Sequence, residues 1–196
     1  MSNLSTEALE QLFTKARTHR AWLPETVSDE TLHTLYELLK WGPTSSNTGP
    51  ARFIFVKSKE EKARLISCVA PGNVGKVQAA PVTVIVAYDE RFYDQLAKLS
   101  PRATAYRDML AGDKAFADET GFRNGTLQGG YLILAARALD LDCGPMSGFD
   151  NAKVDEMFFK GTSWKSNFLC NLGHGDAAKL HPREPRLDFN EACKII

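Results

Sequence analysis

The 196-residue sequence predicts a single α+β domain in which helices alternate with the strands of one sheet. Apolar residues recur at helical spacing over residues 4–16 and 28–39, and continuous β-forming apolar runs occupy residues 52–57 and 82–88. The sequence contains no linker, repeat or low-complexity segment, and its length suits one hydrophobic core. We therefore expect one domain over residues 1–196, with three or four strands.

The first two helices have recognisable ends. Residues 4–16 form an amphipathic pattern that leads into a polar segment. Ser28 suits the N-cap of a second helix, because its hydroxyl can accept a hydrogen bond from a free amide of the first turn. That helix is predicted to extend to Leu39, and Gly42 and Pro43 prevent its continuation.

The middle of the chain carries the strongest strand signals. Residues 52–57 are typical of a strand that is covered on both faces, and residues 82–88 are apolar enough for a central strand. Between them, residues 59–69 are predicted to be helical and residues 71–75 to form a loop.

Residues 89–122 lack a clear period and are predicted to form helical pieces broken around Ser100–Pro101 and Gly112–Asp113. A long helix is expected over residues 123–139. Gly129–Gly130 lies inside it, where each glycine costs about 1 kcal/mol relative to alanine. That cost indicates a close approach at this point, either by another helix or by a ligand.

The last third of the chain begins with residues 142–148, which are predicted to form a polar, glycine-containing turn. A helix is expected over residues 151–159 and a buried strand over residues 167–173. A tail then follows.

Composition and charge exclude several classes of protein. The 24 basic and 24 acidic residues cancel, so a general attraction to nucleic acid or to anionic membranes is not expected. The N-terminal residues lack the apolar segment of a signal peptide, and no apolar run could span a bilayer. We expect a soluble, cytoplasmic protein.

The four cysteines are widely separated, which argues against a zinc site and against a dithiol redox motif. The spacing of the four histidines likewise predicts no metal site. There is no P-loop, no Rossmann glycine motif and no hydrolase nucleophile motif. Donor-rich loops without a nucleophile fit a protein whose reactive group is supplied by a cofactor.

Two polar clusters are the candidate binding segments. Arg17-Thr18-His19-Arg20 and Pro43-Thr44-Ser45-Ser46-Asn47 each follow a predicted helix. Guanidinium groups suit phosphate oxygens, and hydroxyl and amide groups give directional hydrogen bonds to a polar heterocycle. The alternative is that both are ordinary loops, since Ser, Thr, Asn and Pro favour turns.

These clusters, together with two later motifs, resemble the FMN-dependent nitroreductase family over nearly the whole length, and specifically its malonic semialdehyde reductase-like branch of pyrimidine degradation. The motifs that carry the resemblance are residues 16–22 (ARTHRAW), 41–53 (WGPTSSNTGPARF), 144–148 (GPMSG) and 182–186 (PREPR). The resemblance implies a nitroreductase-like fold, with a central mixed, mainly antiparallel sheet flanked by helices in a homodimer.

The resemblance also implies which residues hold FMN. The assigned residues are Arg17, Thr18, His19, Arg20, Pro43, Thr44, Ser45, Asn47, Pro145, Met146, Ser147, Gly148, Arg183 and Arg186. The first cluster would meet the phosphate and ribityl groups, with Arg20 nearer the ring. The second would line the isoalloxazine, with Asn47 near its pyrimidine side. Residues 145–148 would lie over the ring, and Arg183 or Arg186 would close on the phosphate. Thr48 replaces a glutamine of many relatives.

The implied reaction is a hydride shuttle in which NADH or NADPH reduces FMN at N5 and a small organic acceptor is then reduced at the same face. No residue is assigned to catalysis or to a metal, because FMN N5 carries the chemistry, and water can supply the proton. The flavin would lie in the dimer interface. Leu4, Leu9, Phe189, Ile195 and Ile196 could pack across a partner, although contacts within one chain would need the same residues.

Three functions remain open at this point. Reduction of malonic semialdehyde to 3-hydroxypropionate would favour a cation near the flavin, for which Arg20, Arg52 and Arg107 are candidates. A nitroreductase or quinone reductase would use an apolar lid, and the aromatic residues of 92–122 could form one or belong to the core. A flavin-binding protein with little turnover is the third. The alternative to all three is a soluble α+β domain without a cofactor.

Overall fold

One four-stranded antiparallel sheet forms the centre of the computed structural model, which describes residues 3–196. The strands lie in the order β1-β2-β4-β3. They are β1, Ala51–Val56; β2, Val82–Asp89; β3, Asp142–Met146; and β4, Trp164–Gly173. Met1 and Ser2, which belong to the predicted domain, lie outside the described residues.

Helices flank the sheet. They are α1, Thr6–Leu9; α2, Asp29–Leu39; α3, Lys59–Ile66; α4, Pro71–Ala79; α5, Leu96–Leu99; α6, Thr104–Gly112; α7, Lys114–Ala138; α8, Asn151–Phe158; and α9, Phe189–Ala192. A π-helical segment, Glu10–Thr14, continues α1, so the predicted first helix is present with slightly narrower bounds. Within residues 3–196, no helix is both long and apolar enough to cross a bilayer.

Strand β2 separates two apolar cores, because its side chains alternate between the two faces of the sheet. Val84 and Val86 lie in one core, which includes residues of α2 and α7. Ile85 and Ala87 lie in the other, which includes residues of α3, α4 and α8. The predicted central position of this strand is confirmed, since β2 pairs with β1 on one side and with β4 on the other.

Side-chain caps fix where two of the helices begin. Ser28 is the N-cap of α2, and its hydroxyl accepts a hydrogen bond of 3.0 Å from the Thr31 amide, as the sequence predicts. Asp113 caps α7 in the same way by accepting from Phe116 N at 3.0 Å. The predicted break at Gly112–Asp113 is therefore confirmed, but the long helix begins at Lys114 rather than at residue 123.

Two segments predicted to be irregular are regular instead. Residues 71–75 belong to α4, because Pro71 occupies the first helical turn, where its missing N–H costs nothing. Residues 142–146 form β3, the edge strand of the sheet, where a proline is tolerated. Strand β4 also begins at Trp164, three residues before the predicted strand.

The close approach expected at Gly129–Gly130 comes from the sheet and not from a helix or a ligand. A Cβ at Gly129 would lie 2.6 Å from the Phe168 ring and 3.3 Å from Val86. At Gly130 nothing lies within 4 Å. One glycine thus allows α7 to approach β4, and its neighbour faces open space.

We predict opposite effects for alanine at these two positions. Gly129→Ala forces the Phe168 ring to move and should lower the free energy of unfolding by about 1–3 kcal/mol. Gly130→Ala should raise it by up to about 1 kcal/mol, because alanine favours the helix and meets no neighbour. Urea denaturation of both variants measures the difference, and equal effects would contradict this account.

Candidate functional site

Five arginines line one cleft of about 910 Å³ between the end of the first helical segment and the C-terminal segment. The lining residues are Phe13, Thr14, Ala16, Arg17, Thr18, Arg20, Arg137, His181, Pro182, Arg183, Glu184 and Arg186. Glu184 supplies the one carboxylate in this lining. The cleft is therefore strongly positive, although the chain as a whole has no net charge.

Within residues 3–196, the cleft arginines differ from most other arginines in having no ionic partner. Among the described residues, none of the five has a carboxylate oxygen within 4.0 Å. Ion pairs form instead at Arg52, Arg64, Arg91, Arg107 and Arg123. A set of unpaired guanidinium groups facing one cavity is a site that suits an anion.

Hydrogen bonds join the two walls of this cleft, which are formed by residues 13–20 and residues 181–186. The Nη2 atom of Arg17 donates to the carbonyl of His181 at 2.5 Å. In the opposite direction, Arg183 Nη2 donates to Thr14 O at 2.8 Å and to Ala16 O at 3.0 Å. Each wall thus positions an arginine of the other.

His19 lies beside the cleft but its side chain is buried against Asp142. Its Nε2 atom is 3.3 Å from Asp142 Oδ1, and the amide of Gly175 donates to Asp142 Oδ2 at 2.9 Å. A side chain at Gly175 would overlap the imidazole ring. His19 therefore fixes the first cluster to the start of β3 and to the turn that follows β4. It is absent from the cleft lining, in which Arg17, Thr18 and Arg20 take part.

The first cluster also lies against β3. Thr18 forms a parallel bridge to Cys143, and the amide of His19 donates to the Cys143 carbonyl at 3.0 Å. The strand then leads to Pro145, which is exposed. The structure thus brings the first cluster next to the predicted segment 145–148.

Within segment 145–148 the side chains have different environments. Met146 packs against the core that contains Ile85, whereas Ser147 is exposed. The carbonyl of Gly148 accepts hydrogen bonds from Ala70 N at 2.9 Å and from Asn73 Nδ2 at 3.0 Å. The exposed residues of this segment remain available to a ligand, and Met146 is partly committed to the core.

The second cluster, residues 43–47, is remote from the arginine cleft in the same chain. The amide of Ser45 donates to Asn124 Oδ1 at 2.8 Å, near the N-terminal half of α7. Arg137, in the last turn of α7, lines the cleft. At a rise of about 1.5 Å per residue, these two points on the helix are about 20 Å apart. One chain therefore does not bring both clusters to one cavity.

The second cluster has a strained backbone. Ser46 and Asn47 adopt positive φ values of 48° and 54°, which non-glycine residues rarely do. The loop is held by Gly49 N donating to Thr44 Oγ1 at 3.1 Å and by Asn47 Nδ2 donating to the Leu99 carbonyl at 2.7 Å. The buried hydroxyl of Thr48 has no hydrogen-bond partner among the described residues. Such strain is typical of segments shaped for a ligand.

The three candidate cations for a substrate carboxylate are in different environments. Arg52 forms an ion pair of 2.8 Å with Asp89 and also donates to the carbonyls of residues 49–51. Arg107 donates to Asp108 at 3.1 Å, and this hydrogen bond raises the pKa of the guanidinium. Arg20 is exposed and lines the cleft. Of the three, Arg20 is the one placed to meet a ligand there.

The aromatic residues of 92–122 mostly form a small core of their own. Phe92 is fully buried there, and Tyr93, Tyr106 and Phe116 pack against it. Phe122 is half exposed and makes an edge-to-face contact with Tyr88. A lid formed by all five aromatic side chains is therefore not present.

Arg137 is the one cleft arginine that the sequence did not indicate. It lies near the end of a long helix, where a basic side chain usually interacts with the helix dipole and with water. The spacing of the arginines along the sequence gives no sign that it faces Arg17 and Arg183. Only the packing of the first helical segment on α7 brings these residues together.

Comparison with known proteins places this chain in a family. A family model described as the Nitroreductase family matches residues 14–174. A protein from Ralstonia nicotianae, named as a candidate NADH dehydrogenase/NAD(P)H nitroreductase, is 55% identical over 196 residues, which is the whole of both chains. The chain belongs to the nitroreductase family, as the motifs predict.

Solved structures agree with this result at the level of the fold. A nitroreductase-type protein from Bacillus subtilis superposes with a TM-score of 0.85 at 20% identity, over 98% of this chain and all of that one. A second, from Exiguobacterium sibiricum and solved in complex with FMN, gives a TM-score of 0.84 at 21% identity over both full chains. The predicted nitroreductase-like fold is confirmed.

We predict that Asp142→Ala destabilises the protein through the loss of one hydrogen bond and of the contact with His19. The change leaves the buried imidazole of His19 without its neighbouring carboxylate and the Gly175 amide without its acceptor, which should cost about 1–3 kcal/mol. Glu119→Ala is the control, because Glu119 pairs with Arg123 on the surface and should change stability by less than about 1 kcal/mol. Urea denaturation compares them, and similar losses would show that the His19–Asp142 contact is unimportant.

Proposed function

We propose that the protein binds FMN and transfers hydride from NADH or NADPH through it to a small organic acceptor. The observation that carries this proposal is the cleft with five arginines and one carboxylate. The 55% identical relative, which is named for NAD(P)H chemistry, supports the choice of reductant. The structural neighbour solved with FMN supports the choice of cofactor.

The residues present fit a flavin nucleotide. Its phosphate is a dianion that accepts forked hydrogen bonds, and the cleft offers guanidinium groups without carboxylate partners. Arg17, Arg183 and Arg186 would hold the phosphate, with Thr18 beside them and Arg20 nearer the ring. Once bound, FMN supplies hydride transfer.

The chain's own contribution is binding and orientation. The hydrogen bonds of Arg17 and Arg183 to opposite walls hold both side chains in place before a ligand arrives. The second cluster, with its positive φ values at Ser46 and Asn47, has a fixed backbone that would form a second surface for the flavin. His19 acts through Asp142 by positioning the first cluster and does not itself face the cleft.

The acceptor that we favour is malonic semialdehyde, which is reduced to 3-hydroxypropionate in the cytoplasmic degradation of pyrimidines. The aldehyde carbon gains the hydride, and its oxygen gains a proton from water. Arg20, exposed at the cleft, would pair with the substrate carboxylate. Free thiols at all four cysteines support a reducing compartment.

A second candidate is reduction of nitroaromatic compounds or quinones. The names of the close relatives favour it. A smaller cavity of about 300 Å³ between α5 and α6 offers a second surface, whose lining combines apolar residues such as Leu96 and Pro101 with charged residues such as Arg107. This cavity lies next to Leu99, whose carbonyl holds Asn47 of the second cluster.

The visible absorption spectrum of the purified protein tests the proposal. We expect the bands of oxidised flavin, bleaching when NADPH or NADH is added without oxygen, and return of colour when malonic semialdehyde follows. Return of colour with a nitroaromatic or quinone alone would select the second candidate. A bound flavin that neither nucleotide reduces would indicate a flavin-binding protein with little turnover. A protein that stays colourless with added FMN would overturn the proposal.

We further propose that the protein is a homodimer whose flavin site uses both chains. The second cluster cannot line the arginine cleft of its own chain, so a partner would have to bring it there. All residues from His181 to Ile196 are exposed, including Phe189 at 58% and Ile195 at 85%. Trp41 lies between the end of α2 and the second cluster, and its side chain is 78% exposed. These apolar groups suit a covered interface.

We predict that the C-terminal segment stabilises this dimer. Replacing Phe189 and Ile195 by Asp puts charge into the interface and should shift the protein from dimer to monomer at micromolar concentration, with loss of bound FMN. Lys194→Gln in the same segment is the control and should remain dimeric. Size-exclusion chromatography with light scattering gives the mass. A monomeric wild-type protein, or a double variant that remains dimeric, would contradict the prediction.

A further inference from the structure

We propose that Arg137 is a phosphate-binding residue of the cleft, acting with Arg17 and Arg183. This inference rests on the proposed function, because the phosphate is that of FMN. It adds to the site a residue from the middle of the chain. The assigned phosphate ligands come from the two ends.

The position of Arg137 is fixed by the first helical segment. Its Nη1 atom donates to the Leu12 carbonyl at 2.9 Å, and its own carbonyl accepts from Gln11 Nε2 at 2.7 Å. The guanidinium is therefore held at the cleft wall by one of its five N–H groups. A side chain anchored in this way loses little further freedom when a ligand binds.

The remaining N–H donors of Arg137 have no hydrogen-bond partner within residues 3–196. The residue is half-buried, and its Nε atom is fully buried with no hydrogen bond among the described residues. Nor does a carboxylate lie within 4.0 Å of the guanidinium in the described part of the chain. A partly buried cation is costly without a counter-charge, and an anion in the cleft would provide one.

Repulsion within the cleft leads to the same conclusion. Arg17, Arg20, Arg183 and Arg186 line the same cavity as Arg137, and like charges gathered around one cavity repel one another and destabilise the folded protein. A dianionic phosphate group reverses the sign of this effect. Arg137 adds charge from α7, whereas Arg183 and Arg186 add it from the C-terminal segment, so the phosphate would meet guanidinium groups from both.

A purely structural role makes a different prediction. Leu12 lies in the π-helical segment that ends at Thr14, so Arg137 could serve only to cap this helix end. Loss of a cap lowers stability but does not distinguish FMN from riboflavin. Loss of a phosphate ligand weakens the binding of FMN and leaves riboflavin unaffected, because riboflavin is the same flavin without the phosphate.

The experiment compares the affinities of the apoprotein for FMN and riboflavin, measured by quenching of flavin fluorescence. Arg137→Met keeps the apolar stem and removes the charge. We expect it to weaken FMN binding at least tenfold and riboflavin binding less than twofold. Arg17→Ala should behave similarly. Arg123→Met, at an exposed and ion-paired position of the same helix, should change neither affinity.

The possible outcomes distinguish a phosphate-binding Arg137 from one that only caps the helix end. An unchanged FMN-to-riboflavin ratio in Arg137→Met, with a lower melting temperature, would overturn the inference and leave Arg137 as a helix cap. The inference would also be overturned if the FMN-to-riboflavin affinity ratio changed in Arg17→Ala but not in Arg137→Met. If the wild-type protein binds FMN no more tightly than riboflavin, the proposed phosphate site itself fails, and the inference fails with it.

Discussion

The pairing of residues 17–23 with residues 174–183 holds the candidate site together. Leu23 N donates to the His174 carbonyl at 2.8 Å, and Asp176 N donates to the Ala21 carbonyl at 3.0 Å. The contact between His19 and Asp142 then fixes both segments to the edge of the sheet. Without this pairing, the arginines from the two ends of the chain would have no common cavity, and the positive cleft would not exist.

The cost of that cavity is electrostatic. Guanidinium groups that face one another without carboxylates lower the stability of the folded chain, and this cost is met by the two apolar cores on either side of β2. The arrangement is typical of sites that are preorganised for a charged ligand, where the protein bears the repulsion before binding.

Much of the fold could be predicted from the sequence because periodicity and capping are local. The Ser28 cap and the apolar run of β2 are examples in which the nearest neighbours along the chain decide the structure. Pro71 was misleading for the same reason, since a proline can end a loop or begin a helix. The edge strand β3 depends on pairing with β4, which is a non-local interaction.

The candidate site was less predictable than the fold. The motif positions of Arg17, Arg20, Arg183 and Arg186 lead to the cleft, but the burial of His19 depends on a glycine more than 150 residues later. Arg137 carries no local signal at all. The two polar clusters also look like one site when written in sequence, and only the geometry of α7 shows that they are far apart.

Helix α7 fixes the distance and the relative rotation between the second cluster and the arginine cleft of one chain. It is one element of 25 residues that positions Ser45 near its middle, at Asn124, and the arginine cleft near its C-terminal end, at Arg137. Each residue of an α-helix turns the chain by about 100° and advances it by about 1.5 Å. A single inserted residue between Asn124 and Arg137 would thus rotate one site relative to the other, even if both kept every contact of their own. The length of this segment is therefore under a tighter constraint than its composition.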